Sequence, residues 1–175
     1  MFNSNGFTQK AINAINIAIA QASALGHTYI GSEHILLGLL HEGSGSAYHL
    51  LTLRGIRAEM ITALLVGTVG RGIQSVLTPS DLTPCCKRIL EESVSEARLL
   101  GLGSVGTEHI LMALLKEKDS CAVRFIRELG ADPSQLYKSL VEQISDELGD
   151  EAGGDKNKAR AAGKTGRPQG VRRRW

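Results

Sequence analysis

Apolar residues recur at helical spacing from early in the chain. Ala11, Ile12, Ile15, Ala18, Ile19, Ala22 and Leu25 line up as one buried helix face. Thr8 stands where an N-cap belongs, and Gly26 where a left-handed stop belongs. A second helix is predicted from Ser32 as its N-cap, burying Ile35, Leu36, Leu39 and Leu40. A third runs to Gly55 with Ala47, Leu50 and Leu51 inward, and a fourth ends near Gly67. The same four helices are then predicted again. Thr83 caps, Pro84 takes the first helical position and Gly101 stops the helix. Thr107 caps the next, which buries Ile110, Leu111, Leu114 and Leu115. Ala122, Phe125 and Ile126 face inward on the third, which runs to Gly130. Asp132 and Pro133 open the fourth, which ends near Leu148.

The two sets are one unit written twice. Sliding the chain by 75 residues matches Thr8 through Val66 without a gap, and GSEHILLGLL at 31–40 falls on GTEHILMALL at 106–115. Seven of those ten positions are identical, and the rest are Ser/Thr, Leu/Met and Gly/Ala. Pairs such as Gly26/Gly101, Ala47/Ala122 and Gly55/Gly130 are punctuation and core, so a structure is repeated and not merely a composition. The prediction is an all-α protein of about eight helices in two tandem four-helix repeats. Repeat one covers 6–67, a connector 68–81 and repeat two 82–148. No sheet is expected. After Leu148 the apolar periodicity stops. Residues 149–175, with six Gly, one Pro and a single large aromatic at the end, are expected to be a disordered basic tail or linker.

Composition supports this reading. Hydrophobic residues make up 42% of the chain but aromatic ones only 4%, so the core must be Leu, Ile, Val and Ala, which suits close-packed helices. The net charge of +2 hides an asymmetry: residues 1–148 carry 12 Lys/Arg against 15 Asp/Glu, and residues 149–175 carry 8 against 3. A mildly acidic folded part argues against a nucleic-acid-binding core, and the basic tail reads as a solvated linker. Cys85, Cys86 and Cys121 have no framework spacing and read as reduced thiols of a cytoplasmic protein, Cys86 as a small core filler. The start lacks the pattern of a signal peptide. The uncharged stretch from Ala11 to Ser32 is interrupted by Asn13, Asn16, Gln21 and His27, so no membrane span is expected.

Candidate chemistry narrows to two corners. There is no GxxxxGK[ST] loop for a nucleotide, no HExxH, no second ligand cluster beside Glu33-His34 or Glu108-His109, and no base at a recognisable spacing from the cysteines. No enzyme, cofactor or metal is expected. Ser32 and Thr107, followed by Glu33 and Glu108, allow two readings. In one, they are only well-started helices, with a carboxylate favoured by the helix dipole. In the other, helix N–H groups face an anion while the adjacent Glu faces a guanidinium. Phosphorylated arginine carries both charges side by side. Two such corners would give a partner avidity.

At these residues the chain resembles the N-terminal domain of Clp-type unfoldases, with the ClpC branch most similar. FTQKA at 7–11, ALGHTYIGSEHILLGLL at 24–40, LTPCCKRIL at 82–90 and VGTEHILMALL at 105–115 carry the resemblance, which spans about residues 6–148. It implies a pseudo-two-fold domain that docks adaptor proteins and protein substrates. In a chain that continues into ATPase modules, these would pass to a hexameric ATPase ring and the ClpP peptidase. In the ClpC branch the domain also docks arginine-phosphorylated proteins, and the resemblance carries that role to Glu33 and Glu108, with Thr8 and Thr83 nearby and Ser32 and Thr107 beside them. The alternative is a stand-alone structural or regulatory domain that binds adaptors only. Two departures stand out. Ser32 replaces the usual Thr, and Cys85 stands where a basic residue is common. By sequence position Cys85 is assigned to the second corner, and the two corners are expected to be unequal.

Overall fold

The computed structural model describes residues 5–161, with side chains through Glu151. Eight α-helices follow one another: α1 Gln9–Ala24, α2 Ser32–Glu42, α3 Ser46–Leu53, α4 Ala58–Val69, α5 Pro84–Leu99, α6 Thr107–Lys116, α7 Cys121–Glu128 and α8 Pro133–Ala161. A short 3-10 turn at Pro79–Asp81 precedes α5. Each helix of the second set starts 75 residues after its counterpart. Thr8 and Thr83 cap α1 and α5 as expected, accepting from the amides of Ala11 and Cys86 at 3.2 and 3.3 Å. Gly26, Gly55, Gly101 and Gly130 all take the left-handed conformation that ends a helix.

Among the described residues two compact units are present, one ending at Leu140 and the other beginning at Val141. In the first, α2 and α6 are the central helices. They are apolar on every side, and Ile35–Leu40 and Ile110–Leu115 are all buried. Among the described residues the second unit is the continuation of α8. That helix runs to Ala161, past the expected end near Leu148. Glu147, Glu151, Ala152, Lys156, Lys158, Ala159, Arg160 and Ala161 are helix formers, and they carry the helix past Gly149, Gly153 and Gly154, which cost about 1 kcal/mol each. Residues 162–175, the rest of the expected disordered tail, lie outside the described residues.

The two repeats exchange backbone contacts. Phe7 bridges Val105, and Ile30 bridges Leu82. The Thr8 amide donates to the Val105 carbonyl at 2.9 Å and the Thr83 amide to the Ile30 carbonyl at 3.0 Å. A step of 75 carries Thr8 onto Thr83 and Ile30 onto Val105, so the pairs are related by a pseudo-two-fold. These isolated bridges are the only extended pairing among the described residues.

The caps are exchanged as well. Ser32 and Thr107 are not N-caps, as the sequence suggests. Gly31 and Gly106 hold that position in extended backbone, and Ser32 and Thr107 are the first helical residues. Their hydroxyls reach into the other repeat. Ser32 Oγ accepts from the Ala122 amide of α7 at 3.1 Å, and Thr107 Oγ1 from the Ala47 amide of α3 at 3.5 Å. Thr107 fills the space in which a side chain at Gly45, the N-cap of α3, would sit. Ser32→Ala should therefore lower stability by about 1 kcal/mol, and Thr107→Val by less because its bond is longer. Urea unfolding at neutral pH checks both.

Candidate functional site

The start of α2 is built by three residues. The Gly31 amide donates to His34 Nδ1 at 2.9 Å, which is half of a capping box with His in the third helical position. Glycine has no side chain to complete the box. The Glu33 carboxylate instead folds back over Gly31, where a Cβ would overlap both of its oxygens. The second copy repeats this: the Gly106 amide donates to His109 Nδ1 at 2.9 Å, and the Glu108 carboxylate occupies the space over Gly106. Each G-[ST]-E-H motif thus holds a carboxylate against the positive end of its own helix.

Because the bridges cross between repeats, each corner faces the other repeat's first helix. A cavity of about 350 Å³ beside Glu33 is lined by Tyr29, Thr83, Cys85, Arg88 and Cys121 among others. It lies between the starts of α2, α5 and α7. Glu33 therefore belongs with Thr83 and not with Thr8. Cys85 sits at the Glu33 corner, which corrects its assignment to the second. At the Glu108 corner, the Thr8–Val105 bond brings the start of α1 alongside the residues that lead into α6. Lys10, the counterpart of Cys85, donates through Nζ to the Ser44 carbonyl at 3.1 Å, next to the Gly45 that packs on Thr107.

The electrostatics of the two corners differ. The Glu33 side chain is 5% exposed and that of Glu108 is 22% exposed, so the first is the deeper site. Burial, the Glu33 charge and a hydrogen bond to Glu33 push the Tyr29 hydroxyl up to about 12. Burial also raises the Cys85 and Cys121 thiols, Cys85 further through Glu117 and Cys121 through Glu33, so both stay protonated at neutral pH. Cys86 is fully buried as expected, its thiol pushed up to about 12 by burial. Arg88 pairs with Glu117 at 3.4 Å. The counterpart of Glu117 is Glu42, which accepts from Ser44 Oγ and from the Ser44 and Gly45 amides. These bonds outweigh its burial and hold Glu42 below the usual carboxylate range. No three metal-ligating side chains converge among the described residues.

The structure thus places Glu33 with Thr83, and Glu108 with Thr8, in two separate corners. Ser32 and Thr107 accept from the first turns of α7 and α3, and Ser32 also lines the cavity beside Glu33. Sequence reasoning missed Tyr29, Arg88 and Glu117 as parts of the first corner. The offset of 75 was the available signal for the last, since it pairs Glu117 with Glu42.

Residues 6–113 and 81–164 match the model of the Clp repeat N-terminal domain. Over 140 residues the chain is 41% identical to chaperone protein ClpC2, chloroplastic, of Oryza sativa subsp. japonica, covering 80% of this chain and 15% of that protein. It is 40% identical over 140 residues to the chloroplastic ClpA homolog of Brassica napus, an ATP-dependent Clp protease ATP-binding subunit, covering 80% and 16%. The chain therefore spans about a sixth of the length of these curated relatives. Among solved structures, the N-terminal domain of the chaperone ClpD from Arabidopsis thaliana superposes with a TM-score of 0.69 at 23% identity, over 82% of this chain and 97% of that one. The ClpV N-domain in complex with a VipB peptide superposes at 0.61 and 18% identity, over 81% and 89%. At these identities both speak to the fold.

Proposed function

The chain belongs to the Clp repeat N-terminal domain family, and on that premise we propose that it docks partner proteins through its two corners, with arginine side chains, phosphorylated ones included, as the groups it reads. The observation that carries this is the doubled geometry. Each corner holds a carboxylate at one helix N-terminus, buried for Glu33 and half-buried for Glu108, beside a second helix N-terminus capped by Thr83 or Thr8. The carboxylate suits the N–H fork of a guanidinium, and helix N–H groups suit a phosphate on it. A ClpV N-domain of the same fold is seen in complex with a VipB peptide, which supports peptide docking as a use of this fold. In this reading Thr107 acts through the helix end it caps, and Ser32 through both the α7 end it caps and the cavity it lines. In a chain that continues into an ATPase ring, the bound protein would be delivered to that ring and its peptidase.

The test is calorimetric titration of a phosphoarginine peptide. Each Glu removed takes away a charge-assisted pair worth about 1.5–3 kcal/mol, roughly a 10- to 100-fold loss in affinity. The Glu33→Ala, Glu108→Ala double variant should show no measurable binding. Unaltered binding by that variant overturns the site.

A further inference from the structure

The corners differ in what surrounds the carboxylate. At the Glu108 corner the second residue of α1 is Lys10, an ammonium held at the Ser44 carbonyl, and the first is Gln9, which keeps its backbone N–H. At the Glu33 corner the equivalent residues of α5 are Cys85, a protonated thiol, and Pro84, which has no N–H. An anion there loses a cation and a backbone donor together. The remaining charges of the cavity lining are Glu33, Glu117 and Asp119 against Arg88 alone. Arg88 is bound through Nε and Nη2 to the two oxygens of Glu117, at 3.4 and 3.5 Å.

Glu33 itself lacks a counter-cation. Ser32 Oγ donates to it at 3.4 Å and the Tyr29 hydroxyl also donates to it. His34 Nδ1 lies 3.9 Å away but uses its lone pair on the Gly31 amide, so it brings no positive charge. No Lys or Arg among the described residues reaches ion-pair distance of Glu33. A buried carboxylate without a cation is costly, and a guanidinium entering the cavity removes that cost. A phosphate entering with it adds negative charge beside Glu33, Glu117 and Asp119. From this asymmetry we propose that the two corners read different states of the same side chain: the Glu108 corner takes phosphorylated arginine, and the Glu33 corner takes unmodified arginine. The inference rests on the docking reading above and assigns a separate ligand to each half of it.

The test uses the whole chain and two peptides of one sequence, bearing either arginine or phosphoarginine, titrated by calorimetry. The wild type should bind one equivalent of the phosphoarginine peptide, lost in Glu108→Gln, and one of the arginine peptide, lost in Glu33→Gln. Cys85→Lys should raise the phosphoarginine stoichiometry from one to two and weaken arginine binding by about tenfold. Circular dichroism of each variant separates lost binding from lost fold. Two equal phosphoarginine sites in the wild type overturn the asymmetry and leave the docking reading standing. Phosphoarginine binding at neither corner, with arginine still bound through Glu33, overturns the phosphate half of the docking reading and keeps the guanidinium corner. Arginine binding that Glu33→Gln does not change overturns the proposal.

Discussion

Gly38→Ala lowers the unfolding free energy by about 3 kcal/mol, the opposite of what helix propensity alone dictates. In a helix interior, glycine is worse than alanine by about 1 kcal/mol, so the exchange would ordinarily stabilise α2. Gly38, however, lies at the crossing with α1. A Cβ there would overlap the carbonyl oxygen of Ala14 and come within 3.0 Å of the backbone nitrogen and Cβ of Ala18. The obstacle is backbone, which no rotamer change relieves, so α1 must move away from α2. Ala11, Ala14, Ala18 and Ala22 form a row of small buried residues on α1 that permits this close approach. The second repeat shows the alternative. Its equivalent residue is Ala113, fully buried in α6, and α5 presents Ile89 and Ser93 where α1 has Ala14 and Ala18. Ala113→Gly should cost only about 1 kcal/mol, from propensity. Urea unfolding of the two variants gives the comparison. A stabilised Gly38→Ala protein would show that α1 and α2 can separate freely, contrary to this packing.

The contrast between Gly38 and Ala113 was present in the sequence as one of three mismatches within ten aligned residues, but its meaning lay in a contact between helices. Most of the fold was legible because its signals are local. Thr8 and Thr83 as caps, the left-handed glycines, most of the apolar face of α1 (Ala11, Ile15, Ala18 and Ala22, though not Ala14) and the apolar faces of α2 and α6 all act within a few residues of themselves. The start of α2 was misread for the same reason. Serine and threonine are favoured N-caps over glycine, and nothing local shows that the Ser32 hydroxyl is needed by Ala122, in the other repeat. The corners suffered likewise. Glu33 and Glu108 were found, but Cys85 was attached to the nearer motif in sequence, whereas the crossing of Ile30 with Leu82 brings it to Glu33. Repetition reveals that two units exist. It does not say which end of one meets which end of the other.

Between pH 7 and pH 5 the folded state should lose about 2 kcal/mol through His34 alone. The Gly31 amide donates to His34 Nδ1, so the proton of the neutral ring sits on Nε2, which faces His27 Nδ1 at 2.7 Å. His27 then donates from Nε2 to the Gly70 carbonyl at 2.9 Å. Every position in this chain has one donor and one acceptor. A proton added to either ring sets two N–H groups against each other. Tyr29 packs edge-on against His34, and the nitrogen that faces Glu33 at 3.9 Å already accepts from the Gly31 amide. Burial, and then the positive charge that His27 can carry, lower His34 to about 3 from its ordinary 6.5. The unfolded chain therefore takes up a proton below pH 6.5 that the folded chain refuses until about pH 3. Stability from this group is complete above 6.5 and lost as the pH falls through that window, reaching about 4 kcal/mol at its lower end. Burial lowers His109 too, against the opposing charges of Glu108 and Glu96, and adds to the slope in the same direction. Glu42, held below its ordinary 4.5, contributes only at lower pH. Urea titrations at pH 7, 6 and 5 should show the fall in the wild type. They should show a flatter profile in His34→Gln, His109→Gln, where the amide oxygen can still accept from Gly31 and Gly106 in a capping-box geometry. A wild type with no slope, or a double variant equally steep, overturns the account.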